Sequence, residues 1–338
     1  MPTRSPLPGT LAAPLVSWFA LTFLFPASSV LSAEKAAPSQ PREGWHESFA
    51  AARAAAAKSK NDIFLCFTGK EWSAVCRQFD EHFLSDPEFT KLVRAHFEPV
   101  QLDVSEYRSI SEDQEISELP EKARLMLEFE VATFPIVFLL AADGRPYAIT
   151  GFRPGGIESY GEHLDKLREK HTQQQELLAR ARQSTGTRRA ELLAQSIPNI
   201  GELRTAQFYG DMMREVVTLD PENSTGFSRD YELKLGDHDY VKAMREMDKD
   251  LRWSEMLELT DAYIEKYQLT GSERQAALMN RFDILRRQQN LPDMIQTLDE
   301  IHRINPYNPH GRQADGMLRR LARQIEEQSL LESLQNEE

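Results

Sequence analysis

Hydrophobic spacing divides the chain near residue 170: before it, short apolar runs alternate with stretches of helical period, and after it only helical period remains. Ile63 to Phe67 is an apolar run between Asn61-Asp62 and Thr68-Gly69-Lys70-Glu71, which predicts a buried strand and a tight loop. From Ser73 the pattern turns helical, with Phe79 and Phe83 on one face. Upstream, Trp45, Phe49, Ala52 and Ala56 share a helical face and predict a helix over Trp45–Lys58. Asp86-Pro87 stops one helix and starts another over Glu88–His96. Strands are predicted at Glu98–Val104, Ile136–Leu140 and Pro146–Gly151, the last two joined by the hairpin signal Asp143-Gly144. Ser105–Pro120, acidic and without period, predicts a surface loop, and Glu121–Phe129 a short helix. Gly155-Gly156 gives way to a long helix from Ile157 towards Arg182.

This order of elements implies an α/β domain with a mixed sheet and helices on both faces. Beyond His171 the expected helices are Ala190–Ser196, Gly201–Leu219, Asp239–Lys249, Ser254–Tyr267, Ser272–Gln289, Pro292–Arg303 and Arg312–Leu334. Two helix ends are alike: Glu215 to Asn223 closes on Asp220-Pro221, and Glu300 to Asn308 on Asn305-Pro306. Such endings resemble those of the tetratricopeptide repeat, whose helix pairs recur at about 34 residues. The separation here, 215 to 300, is no clean multiple of that period. The region therefore reads either as a degenerate tetratricopeptide-like stack or as an unrelated helical bundle with similar stops.

The N-terminus changes the picture of where the chain acts. Arg4 precedes the apolar stretch Leu11–Phe25, and small residues up to Ala33 offer a cleavage site. That stretch is shorter than the ~20 apolar residues of a spanning helix. The expectation is a signal peptide over 1–33, with an uncleaved anchor as the alternative, and a Pro-containing linker over 34–43. It places the protein outside the cytoplasm, in a periplasm, with no stable membrane insertion after cleavage. Net charge is −13, and losing the one positive charge of Arg4 leaves −14, which disfavours nucleic acid or an anionic membrane surface as partner.

Residues 44–168 resemble the exported, bacterial-type thioredoxin-like family. The resemblance rests on Trp45 and Phe49, on Phe67-Thr68-Gly69 before Trp72, and on Ser85-Asp86-Pro87-Glu88-Phe89. Leu102-Asp103-Val104, Thr133-Phe134-Pro135, Asp143-Gly144 and Gly151-Phe152-Arg153-Pro154-Gly155-Gly156 follow in the expected order. It implies a thioredoxin-like domain over 44–170, a cis bond before Pro135 beside the active-site loop, and an all-α, tetratricopeptide-like domain over 171–338. It also implies that Trp72-Ser73-Ala74-Val75-Cys76 stands where the family carries Trp-Cys-x-x-Cys. The first cysteine is replaced by Ser73 and only the second, Cys76, remains.

In a dithiol enzyme the first thiolate, stabilised at a helix N-terminus, attacks, and the second resolves the mixed disulfide. A serine hydroxyl is too weak an acid for that step, but it caps a helix well, accepting from the N–H of Val75 or Cys76. Cys76 is either a small buried hydrophobe or a monothiol nucleophile. Cys66, the only other cysteine, either faces the helix, where a disulfide needs Cα atoms within about 7 Å, or points into the far core.

No other motif asks for a cofactor or a metal. Thr68-Gly69-Lys70 lacks phosphate-loop spacing, so Lys70 reads as a solvated charge. Asp237-His238-Asp239, three adjacent residues expected in a loop, seldom converge on one ion. Asn223-Ser224-Thr225 is a chance-level glycosylation triplet. Two functions stay open. One is a non-catalytic binding or scaffolding protein, whose helical repeat docks an exported polypeptide and whose groove at Trp72, Ser73 and Pro135 holds an extended chain without reacting with it. The other is a thiol-disulfide oxidoreductase acting through Cys76, alone or with Cys66.

Overall fold

The computed structural model describes residues 42–107 and 119–335. The expected signal peptide, the linker up to residue 41 and the acidic stretch 108–118 lie outside the described residues. Strands β1 (Asp62–Thr68), β2 (Phe97–Asp103), β3 (Ile136–Leu140) and β4 (Pro146–Thr150) form one sheet in the order β2-β1-β3-β4. β1 runs parallel to β2, with Cys66 opposite Gln101, and antiparallel to β3, with Cys66 opposite Val137. A parallel pair needs a long crossover, supplied by α2 (Ala74–Phe79) and α3 (Pro87–Arg94). β3 and β4 form the hairpin expected at Asp143-Gly144, where Gly144 adopts φ +93°.

Alternation along β1 sorts its side chains between two cores. Phe64 and Cys66 pack with Phe79, Phe83, Phe89 and Tyr160 of the α2, α3 and α5 (Gly156–Arg182) layer. Ile63, Leu65 and Phe67 pack with Ala52 and Ala56 of α1 (Phe49–Ser59) and with Leu125 and Phe129 at α4 (Glu121–Glu128). This is the thioredoxin-like arrangement, and an all-helical region follows it.

Three local differences from the sequence reading have physical causes. Trp45 stands before α1 rather than on it. Ser48 caps the helix through Ala51 N, and His46 N instead donates to Pro99 O at 2.8 Å, adding a bridge to the β2 edge. The helix after Ser73 does not stay α: it widens to a π-turn over Asp80–Leu84, which still turns Phe83 inwards. Helix α6 (Gly186–Ser196) starts before Ala190, and α8 (Ser228–Lys249) starts eleven residues before the expected Asp239.

The early start of α8 moves Asp237-His238-Asp239 from a loop into a helix, where successive side chains diverge by about 100° and cannot converge on one ion. Gly236 fits inside this helix through a contact: a Cβ would lie 2.3 Å from the Tyr267 ring of α9 (Trp253–Tyr267). Burial, with Glu202 and Glu273 adding repulsion, pushes Asp237 up to about 6. A carboxyl raised on folding binds its proton more tightly in the folded state, so stability rises as pH falls through 6 and the burial cost is fully present above it. Asp237→Asn is therefore expected to raise Tm by about 2 °C at neutral pH and to change nothing near pH 4. Calorimetry at both pH values checks this, and a gain of equal size at both would refute it.

The remaining helices are α7 (Glu202–Leu219), α10 (Gly271–Arg287), α11 (Leu291–Ile304) and α12 (Pro309–Gln335), and from α6 onward each packs on the one before it. The two Pro-containing stops, alike in sequence, are satisfied differently. Asp220 accepts from the backbone N–H groups of Ser224 (2.8 Å) and Thr225 (2.9 Å) and from both hydroxyls. These bonds, led by the Thr225 hydroxyl, hold its carboxyl well below the usual range. At Asn305 the fully buried Gln275 donates to the carbonyls of Ile301 (2.7 Å) and Asn305 (3.0 Å).

The helical region is packed onto the sheet. α5 runs unbroken through residue 170, and Ile149 of β4 touches two neighbouring cores. Tyr209 of α7 donates to Pro146 O at 3.1 Å, and Arg145 pairs with Asp211 at 3.1 Å. Among the described residues no helix is long and apolar enough to cross a membrane.

Candidate functional site

The loop from Thr68 to Ser73 leaves the C-terminal end of β1 and delivers Ser73 to the start of α2. The Ser73 Oγ accepts from Cys76 N at 3.2 Å, so this side chain caps the helix. Trp72 folds back over Gly69, where a Cβ would fall 2.1 Å from the indole, so only glycine fits. The indole N–H donates to Ser105 O at 3.1 Å, and Glu71 N donates to Ser105 Oγ at 3.1 Å, so the end of β2 clamps the loop.

Phe134 stands edge-on to Trp72 with centroids 4.9 Å apart, and the bond to Pro135 is cis. Gly151 closes the third side: a Cβ there would sit 2.9 Å from Pro135 O. Trp72, Phe134 and Pro135 are half-buried and Val75 is exposed, which leaves an apolar face open beside the cap. An open cleft of about 470 Å³ extends from Phe152 to Phe83 and Ile157.

The two thiols are placed differently from these groups. Cys76 is 0% exposed, and its sulfur accepts from Gly69 N at 3.4 Å. Cys66 is also 0% exposed and faces the layer that holds α2, the orientation in which it could approach Cys76, yet both are free thiols. Burial, then the neighbouring Cys76, pushes the Cys66 thiol well above its ordinary value, so it stays neutral and unreactive at physiological pH.

A polar network that sequence reasoning missed supports the loop from below. Lys70 is not a solvated charge but sits half-buried between Asp80 (3.8 Å) and Asp103 (3.7 Å). Asp80 also pairs with Arg42 at 2.7 Å and accepts from Gln101 at 3.3 Å, while Gln101 donates to the buried Thr68 hydroxyl at 3.1 Å. Arg77 donates to Lys70 O at 2.8 Å. The sequence signal was faint: Asp80 lies one helical turn past Cys76, and Asp103 ends the strand beside the loop. Chemically, the arrangement offers an aromatic and proline surface with a rigid loop, a capping serine at 73 and a buried thiol at Cys76.

Residues 49–163 match the family model of the thioredoxin-like domain. A similar curated protein is the disulfide bond reductase DsbH of Chlamydia pneumoniae, 28% identical over 114 residues, which are 34% of this chain. The matched part spans 66% of that relative's length. A solved structure of a DsbH oxidoreductase aligns at 24% identity with a TM-score of 0.31, covering 40% of this chain and 94% of the other.

Proposed function

We propose that this protein binds exported polypeptides on the face formed by Trp72, Val75, Phe134 and Pro135, and that it performs no dithiol exchange. One observation carries the reading: the position of the attacking thiol is held by Ser73, whose oxygen is engaged as a helix cap. The only thiol left in the motif, Cys76, has no exposed surface. A disulfide substrate would need a thiolate within reach of its sulfur, and a buried resolving thiol does not reach it. An extended chain needs only apolar contacts and main-chain hydrogen bonds along such a face.

Export, expected from the residues before Ala33, puts the binding face among secreted clients in a periplasm. The helical region, read as a tetratricopeptide-like stack, forms the frame behind the face. Net charge of −13 speaks against nucleic acid as the client.

The likeness to a protein named a disulfide bond reductase favours a second reading, a monothiol reductase working through Cys76. Two assays on the mature protein separate them. For the binder, insulin reduction stays at the dithiothreitol background. Iodoacetamide then leaves both cysteines unlabelled in the native protein and labels both after unfolding. Reduced, carboxymethylated α-lactalbumin, a thiol-free unfolded chain, binds, and Trp72→Ala weakens it. Catalytic turnover lost in Cys76→Ala would establish the reductase instead.

A further inference from the structure

Local backbone bonds, Glu130 N to Leu127 O at 3.1 Å and Val131 N to Met126 O at 2.9 Å, close α4, and the next three carbonyls, those of Glu128, Phe129 and Glu130, are met from far along the chain. Gln207 Nε2 donates to Glu128 O at 2.8 Å, Arg204 Nε donates to Phe129 O at 2.8 Å, and Arg204 Nη2 donates to Glu130 O. Both donors come from α7, more than seventy residues away in sequence. The same guanidinium lies over the Phe138 ring of β3 at 5.8 Å, and Phe208, on the next turn of α7, packs on Phe129 at 5.2 Å. From α8, Arg245 reaches the Glu130 carboxylate at 3.6 Å. Glu130 holds φ +47°, a left-handed conformation that a side chain adopts at a cost. Only three residues separate it from Phe134, which stands against Trp72.

Terminal carbonyls of a helix are ordinarily met by water or by the next few residues. Here a charged fork from the helical region takes the carbonyls of Phe129 and Glu130, just past the last residue of α4, and pins the start of the segment that builds one wall of the binding face. We propose that Arg204 is the positioning residue of that face. On this view the helical region is not a second binding module but the clamp that fixes where Phe134 and Pro135 stand. The part concerning binding rests on the polypeptide-binding reading, whereas the clamp itself does not.

Hydrogen exchange of the full mature chain tests the clamp directly. In Arg204→Ala, amides 130–134 and 136 are expected to exchange roughly tenfold faster, while those of α2 and α3 keep their wild-type rates. Arg204→Lys, which keeps the charge but loses the fork, falls between the two. Gln207→Ala, at an exposed position that loses one bond, gives a smaller change in the same segment, so a poorly folding Arg204→Ala does not remove the test. Binding of carboxymethylated α-lactalbumin is expected to weaken roughly tenfold in Arg204→Ala and less in Arg204→Lys. Unchanged exchange over 130–136 overturns the clamp. Faster exchange with unchanged affinity shows that the clamp does not serve the face and also overturns the proposal. A wild-type protein that binds no unfolded chain overturns the binding reading instead, and the exchange result still decides the clamp.

Discussion

Ser73→Cys is expected to turn the protein into a dithiol reductase, raising insulin reduction by dithiothreitol from background by a factor on the order of ten or more. The geometry needed for that chemistry is already present. Position 73 lies at the mouth of α2, where the helix N-terminus and the N–H of Cys76 would stabilise a thiolate as they now meet the Ser73 oxygen. The introduced thiolate would attack one sulfur of the substrate disulfide and release the other as a thiolate. Cys76, three residues on, would then attack the mixed disulfide, expel the reduced substrate and close a 73–76 disulfide. Dithiothreitol would reduce that disulfide and itself become oxidised. Losing the serine cap costs about 1 kcal/mol, a small loss beside the gain of a nucleophile. A Ser73→Cys protein that folds, forms no 73–76 disulfide and stays at background would show that the loop no longer holds catalytic geometry. Ser73→Ala, which removes the cap and adds no thiol, should stay at background and lose only the cap's stability.

Phe129→Ala is expected to destabilise the protein by about 3–5 kcal/mol, read as a lower denaturant midpoint. The ring is 1% exposed and touches Phe49, Phe67, Phe138 and Phe208, with centroids 5.9, 6.1, 5.0 and 5.2 Å away. Three of these partners belong to the sheet domain and the fourth to α7, so one deletion opens a cavity under the sheet and loosens the helical region together. Phe208→Ala, at a half-buried position, should cost less because part of its surface already meets water. Equal costs for the two would mean that Phe129 does not bridge the parts in the way its contacts imply.

Sequence patterning carried the α/β half well because its signals are local. The run Ile63–Phe67, the turn Asp143-Gly144 and the stop Asp86-Pro87 each state their own conformation through burial, φ preference or a missing donor. Ser73 was legible as a cap for the same reason, since its partner, Cys76 N, is three residues away. The first half of α8 was not legible. The polar Asp237-His238-Asp239 looks like a loop, and only the packed helix shows that Gly236 beside it leaves room for the Tyr267 ring.

The site divides along the same line. The sequence by itself determined the tight loop that carries Trp72 and the serine that caps the helix three residues before Cys76, because these are written in adjacent residues. Tertiary structure alone decided that Cys66 faces the α2 layer and that Cys76 is buried, that Lys70 lies between Asp80 and Asp103, and that Arg204 holds the carbonyls ahead of Phe134. Each of those depends on which face of a strand turns inwards or on which distant helix arrives at a given edge. Such pairings depend on the packing of elements far apart in the chain, and no local pattern of residues records them.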